Sequence, residues 1–213
     1  MVKLPRHPDP ERLRRIGADV VTLEPGTVLH RIYSRGGDYP SAWNAFRRFD
    51  PLRSRFDHHE ADEDGGPRLQ ERAILYATLD IPSAFAEVFQ HGGRRINRRR
   101  GAPWLASFRL DASLPLLDLG GTYALRAGAS MKLHTDTVST AQRWSRAFHE
   151  VHTDVVGVRY PSSLTGRPCL ALYERAEATL RESTELLFHR ALADPALHDV
   201  VRQVADDIGY AIA

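Results

Sequence analysis

Apolar residues recur along this chain at two spacings, one close to two and one close to 3.6, and the switches between them mark short strands and helices. Glu11 to Ile16 reads as a short amphipathic helical turn, and VVTLEPGTVLHRIYS then alternates as a strand that carries Arg31. GGDYPSAWNAFRRFD, from Gly36 to Asp50, has neither period and reads as a ligand-facing or structural loop. EADEDGGPR, from Glu60 to Arg68, is polar with paired glycines and reads as a surface connection. The apolar run AILYATL places Tyr76 on a strand, and Pro82 suits the first turn of a helix over PSAFAEVFQH.

Further along, PWLASFRLD reads as a strand and LPLLDLG as an apolar element ending at a glycine turn. A helix near Thr140 to His149 carries Trp144 and Phe148 four residues apart, which turns both toward the core. DVVGVRYPSS and CLALYE form a strand-loop-strand unit across SSLTGRP. In the tail, TELLFHRALADPALHDVVRQVADDIG reads as helical except at Pro195, packed back on the domain or against a partner. Strands interspersed with helices indicate an α/β or α+β domain.

A length of 213 residues suits one domain, and 42% hydrophobic with 26% charged residues excludes wholesale disorder. The net charge of +2 conceals basic runs at Arg12, Arg14 and Arg15 and at Arg94, Arg95, Arg98, Arg99 and Arg100. Each is a solvated face or a phosphate-attracting patch. The single cysteine, Cys169, rules out an internal disulfide and a cysteine-rich zinc site and reads as a small buried residue. MVKLPRHPDPERLRRIG interrupts any apolar run, so a cytoplasmic protein without membrane contact is expected. His58 with His59, and His149 with His152, complete no familiar zinc motif, so no metal is expected. His134 has an acid-base or ligand-binding role as the sharper reading and a structural one as the plainer.

Three segments, HRIYS around Arg31, LYATLDIPSAFAEVF around Tyr76 and Glu87, and VRYPSS around Ser162, together resemble the RES-domain family of bacterial toxins. The tyrosine followed eleven residues later by glutamate is the most specific match. One departure is visible: RSRFD stands where the family has a glycine-rich GxRW-like run, with Arg55 as the residue nearest to its arginine. The resemblance spans residues 27–174 as the RES catalytic domain, preceded by a lead over 1–26 and followed by a C-terminal helical extension over 175–213. It implies an ADP-ribosyltransferase-like fold, with a mixed, mostly antiparallel split sheet surrounded by helices.

The same resemblance implies a toxin that breaks the nicotinamide-ribose bond of NAD, with NAD as substrate, inorganic phosphate as co-substrate and no permanent cofactor. The products would be nicotinamide and ADP-ribose 1-phosphate; an NAD glycohydrolase, a protein ADP-ribosyltransferase and an inactive regulatory binding module are the alternatives. Glu87 would stabilise the cationic ribose. Arg31 would grip the pyrophosphate through directed donors. Tyr76 would stack on nicotinamide or bond near the ribose. Ser162, or equally Ser163, would contact a phosphate or hydroxyl, with Tyr33 and Arg55 as further binding residues. The expected partner is an Xre-like helix-turn-helix antitoxin that blocks the cleft and supplies most of the DNA contact, with a toxin homodimer inside the complex.

Overall fold

A computed structural model describes residues 8–48, 53–60 and 69–213; most of the polar connection expected over 60–68 lies outside them. The chain opens with α1 (Pro10–Ile16), capped by Asp9, whose carboxylate accepts from the backbone N–H of Glu11 and Arg12. The alternating run that follows is two strands, β1 (Val20–Leu23) and β2 (Val28–Ser34), because Gly26 at φ 91° turns the chain between them. Next come β3 (Ile74–Thr78), α2 (Ile81–Phe89), β4 (Arg95–Ile96), β5 (Pro103–Leu110) and β6 (Leu114–Asp118). They are followed by α3 (Tyr123–Arg126), α4 (Val138–Val151), β7 (Gly157–Pro161) and β8 (Pro168–Tyr173). The last elements are α5 (Glu177–Glu182), β9 (Thr184–Ala191), α6 (His198–Ile208) and β10 (Ala211–Ile212).

Eight strands form one sheet in the order β1-β6-β7-β8-β3-β2-β5-β9, and β4 pairs with β10 in a separate parallel ribbon. Only β6 and β7 run parallel within the large sheet; its other neighbours are antiparallel. This is the mixed, mostly antiparallel α+β arrangement expected. The sheet is nearly divided at its middle, since β2 and β3 share one residue pair, His30 with Thr78.

Apolar residues on both faces of β3 explain its unbroken hydrophobic run. Ile74 joins a core with Trp144 and Phe148 of α4, whereas Leu75 and Ala77 join a second with Leu29, Phe108 and Leu172. Phe85 of α2 and Val201 of α6 belong to a third cluster around Ile96.

The helix expected over TELLFHRA is corrected to strand β9, which pairs with β5 from Thr184 to Ala191 with a bulge opposite Ser107 and Phe108. Without it, the outer edge of β5 would expose a row of backbone donors and acceptors, and satisfying them outweighs weak local helix preference. Helix resumes only after the turn at Pro195.

No helix among the described residues is long and apolar enough to cross a membrane. At Gly157 the backbone of β8 approaches so closely that a Cβ would meet the Ala171 carbonyl oxygen at 2.5 Å and the Leu172 Cα at 2.9 Å. Gly157→Ala is therefore expected to lower stability by about 1–3 kcal/mol, read from the shift in urea denaturation midpoint at unchanged slope.

Candidate active site

Where β2 and β3 part, a cleft of about 590 Å³ opens. Consecutive residues of both strands line it, His30 to Ile32 on one side and Tyr76 to Thr78 on the other. Neighbours on a continuous sheet point to opposite faces, so this lining requires a gap between the strands. The cleft brings together Arg31, Arg55, Tyr76, Glu87 and Ser163. Ser162 lies behind it, and Tyr33 does not line it.

Arg31 Nη1 donates to the carbonyls of Trp43 and Ala45 at 2.9 and 3.0 Å, clamping the aperiodic loop across the gap. Among the described residues, both of its hydrogen bonds leave from Nη1, so Nη2 and Nε remain available to a ligand. Burial lowers its pKa to about 10, and the guanidinium stays cationic at neutral pH. Tyr33 lies beneath it, its ring centroid 5.9 Å from the guanidinium carbon and its hydroxyl 2.5 Å from His189 Nε2. Arg55 donates from Nη1 to the Asp136 carbonyl at 2.6 Å and reaches the cleft from the segment before β3.

Glu87 is placed by α2. Asp80 caps this helix by accepting from Ser83 N at 2.9 Å, and Pro82 occupies its first turn. The helix start also holds the β7–β8 loop, through Ser83 Oγ to Thr165 Oγ1 at 2.8 Å and Arg167 to Asp80 at 3.1 Å. That loop carries Ser162, whose Oγ donates to Glu87 Oε1 at 2.6 Å and accepts from the N–H of Leu164 and Thr165. The two adjacent serines thus occupy different positions: Ser162 orients the carboxylate, and Ser163 faces the cleft.

Tyr76 is held by Asp57, a residue with no earlier signal beyond its place in RSRFD. The Tyr76 hydroxyl donates to Asp57 Oδ1 at 2.9 Å and accepts from Phe56 N–H at 3.1 Å. Asp57 is only 2% exposed; Arg47 pairs with it at 2.6 Å and Ser54 N–H donates at 2.9 Å. Burial, with the Asp57 charge beside it, raises the phenol well above its usual pKa, so it remains a donor. The ring is then the part of Tyr76 most freely presented to the cleft. Tyr160 and His134, two further aromatic residues, also line it.

Behind Asp57, Glu174 accepts from His58 Nε2 at 2.9 Å and from His149 Nε2 at 2.6 Å. Their nearest ligand atoms lie within 4.8 Å of one another, a set with the donor chemistry for a metal ion that crosses the two histidine pairs of the sequence. Among the described residues neither Nδ1 has a hydrogen-bond partner, so the second-nitrogen support that usually orients a metal-ligating imidazole is missing. Burial alone would raise the Glu174 carboxyl, but hydrogen bonds from His149 and His58 hold it well below the usual range. Burial lowers His58 to about 4, so a neutral imidazole donates to an ionised carboxylate.

Two consequences are measurable. Tyr76→Phe removes one donor from buried Asp57 and leaves Phe56 N–H unpaired, and should cost about 1–3 kcal/mol in chemical denaturation. The second concerns acid. A base with a depressed folded pKa binds fewer protons than the unfolded chain, so its contribution is present above the unfolded value and lost as pH falls toward the folded one. For His58 that window runs from 6.5 to about 4, and stability measured across it should drop by roughly 2–3 kcal/mol; a His58→Gln protein should lose less.

Comparison with known proteins places this geometry. The crystal structure of the M. tuberculosis MbcT-MbcA toxin-antitoxin complex superposes with a TM-score of 0.58 at 19% identity, covering 91% of this chain and 96% of that one. No curated protein matches the chain in sequence. The RES domain matches residues 28–198, which include both cleft strands, Glu87 and the serine loop. With more than half of its length matched in this way, the chain belongs to the RES-domain family.

Proposed function

We propose that this protein is a toxin that degrades NAD by cleaving the bond between nicotinamide and ribose. The observation that carries the reading is a carboxylate, Glu87, held by Ser162 Oγ at 2.6 Å in a cleft that also presents the guanidiniums of Arg31, Arg53 and Arg55. Each part has a task in that reaction. When the C1′–N bond breaks, its electron pair goes to the ring nitrogen, which becomes neutral, and positive character grows on the ribose. A fixed carboxylate stabilises that charge most strongly as it develops, because it needs no reorganisation at the moment of reaction. Ser162 and α2 hold Glu87 in place for this role.

Arg31 and Arg55 bind the anionic part of NAD, where guanidinium donors match phosphate oxygens in direction. Tyr76 offers its ring to the nicotinamide or ribose, its hydroxyl being engaged by Asp57 and Phe56. The acceptor oxygen forms the new bond to C1′. Water yields ADP-ribose and a released proton; inorganic phosphate yields ADP-ribose 1-phosphate. Ser163, facing the cleft, is suited to contact a phosphate or hydroxyl.

An enzyme that consumes a central cofactor requires restraint. The reading therefore extends to a neighbour-encoded antitoxin of the Xre-like helix-turn-helix class, seated over the cleft and responsible for most DNA contact. MbcT, similar in fold, was crystallised with its antitoxin MbcA.

Incubation of antitoxin-free protein with NAD, with and without phosphate, followed by identification of every product, tests the activity and its acceptor together. Intact NAD would overturn the reading. Glu87→Gln should lower kcat by about 10²–10³-fold with a smaller change in NAD affinity, because the charge acts mainly as the ribose becomes cationic. Arg31→Ala should weaken binding as well; near-normal turnover in both variants would remove their roles.

A further inference from the structure

His134 sits at the end of the short helical turn before α4 and is only 3% exposed. Its neighbours account for its position but not for its polarity. The ring packs against Phe56, with centroids 6.3 Å apart, and among the described residues neither Nδ1 nor Nε2 has a hydrogen-bond partner. The Leu119 carbonyl stands beside the ring as a weak acceptor, outside the geometry of a full hydrogen bond to either nitrogen. A buried donor and a buried acceptor left unmade weaken a fold, and a side chain present only for packing would do better as an apolar one. His134 also borders the cleft that holds Arg31, Arg55 and Glu87. Both nitrogens are closed to solvent in the free protein, so their use by a ligand in the cleft requires the ring to turn toward it.

We propose that His134 is a substrate-contacting residue, whose imidazole hydrogen-bonds a neutral donor-acceptor group of the bound ligand. Resting on the NAD reading above, it assigns that group to the nicotinamide carboxamide or a ribose hydroxyl, which share this chemistry. Phosphate is the poorer match. Burial, aided by the nearby Arg55 cation, outweighs the Leu119 carbonyl and holds the imidazole below its usual pKa, so it is neutral, and the cleft guanidiniums are stronger anion partners. A neutral imidazole offers one N–H and one lone pair, complementary to an amide or hydroxyl. The free protein tolerates an unsatisfied group here because the bound complex uses it, the trade of stability for function common at binding sites.

The test separates that trade from a structural role by the sign of two effects. In a Glu87→Gln background, which spares NAD during titration, His134→Leu should raise the Tm of the ligand-free protein by about 2 °C or more. The same change should weaken NAD binding, measured by calorimetry, about tenfold. His134→Gln, which keeps a donor and an acceptor, should recover a substantial part of the affinity. Titration with ADP-ribose distinguishes the two sources: an unchanged ADP-ribose affinity identifies the carboxamide, and an equal loss for both ligands identifies a ribose hydroxyl. A lowered Tm in His134→Leu, or NAD affinity indifferent to the substitution, overturns the contact. Absence of NAD binding when His134 is intact overturns the functional reading itself, and the contact with it.

Discussion

Beyond His30 and Thr78, strands β2 and β3 cease to pair, and the backbone groups along the gap need other partners if the sheet is to stay intact. Arg47 supplies part of the answer by pairing with Ile74 in both directions, its N–H to the Ile74 carbonyl at 2.8 Å and its carbonyl to the Ile74 N–H at 3.0 Å. Arg31 supplies more, holding the same loop by two carbonyls. The gap is thereby propped open by a loop stitched to both strands, and the cleft is what the prop leaves unfilled. Cleft residues thus come from elements far apart in sequence, and each needs its own local anchor.

Those anchors follow one electrostatic logic. A carboxylate buried as deeply as Asp57 is costly unless donors surround it, and Arg47, Ser54 N–H and the Tyr76 hydroxyl do so. Glu174 repeats the solution with two imidazoles. Together the carboxylates bind the 53–60 segment to β3, α4 and the end of β8, which steadies Arg55 against the cleft. Rigid support of this kind is what a polar site requires if its groups are to be aligned before a ligand arrives.

Much of the fold was legible because its signals were local. The Tyr76 strand, the helix begun near Pro82 and the Trp144–Phe148 face rest on periodicity and caps over short distances. TELLFHRA was misread because its strand character comes from the vacant edge of β5, a partner 76 residues away at Arg109 and Glu185. The site divides the same way. Arg31, Tyr76, Glu87 and Ser162 stood out through family-like order. The difference between Ser162 and Ser163, the engagement of Tyr33 by His189 and the importance of Asp57 depend on where side chains meet across the sheet, and pattern does not encode that.

The long reach of the Ser162–Glu87 bond also sets a timetable for biosynthesis. The two residues are separated by 75 positions, so at about 5–20 residues per second a ribosome needs on the order of 4–15 s to pass from one to the other. During that interval α2 can emerge with its glutamate unheld, while β7, β8 and the loop between them are still unmade. A nascent chain carries the acidic residue long before it has the geometry to orient it. The bond that fixes the Glu87 side chain therefore closes late in translation, after β7 and its loop have emerged.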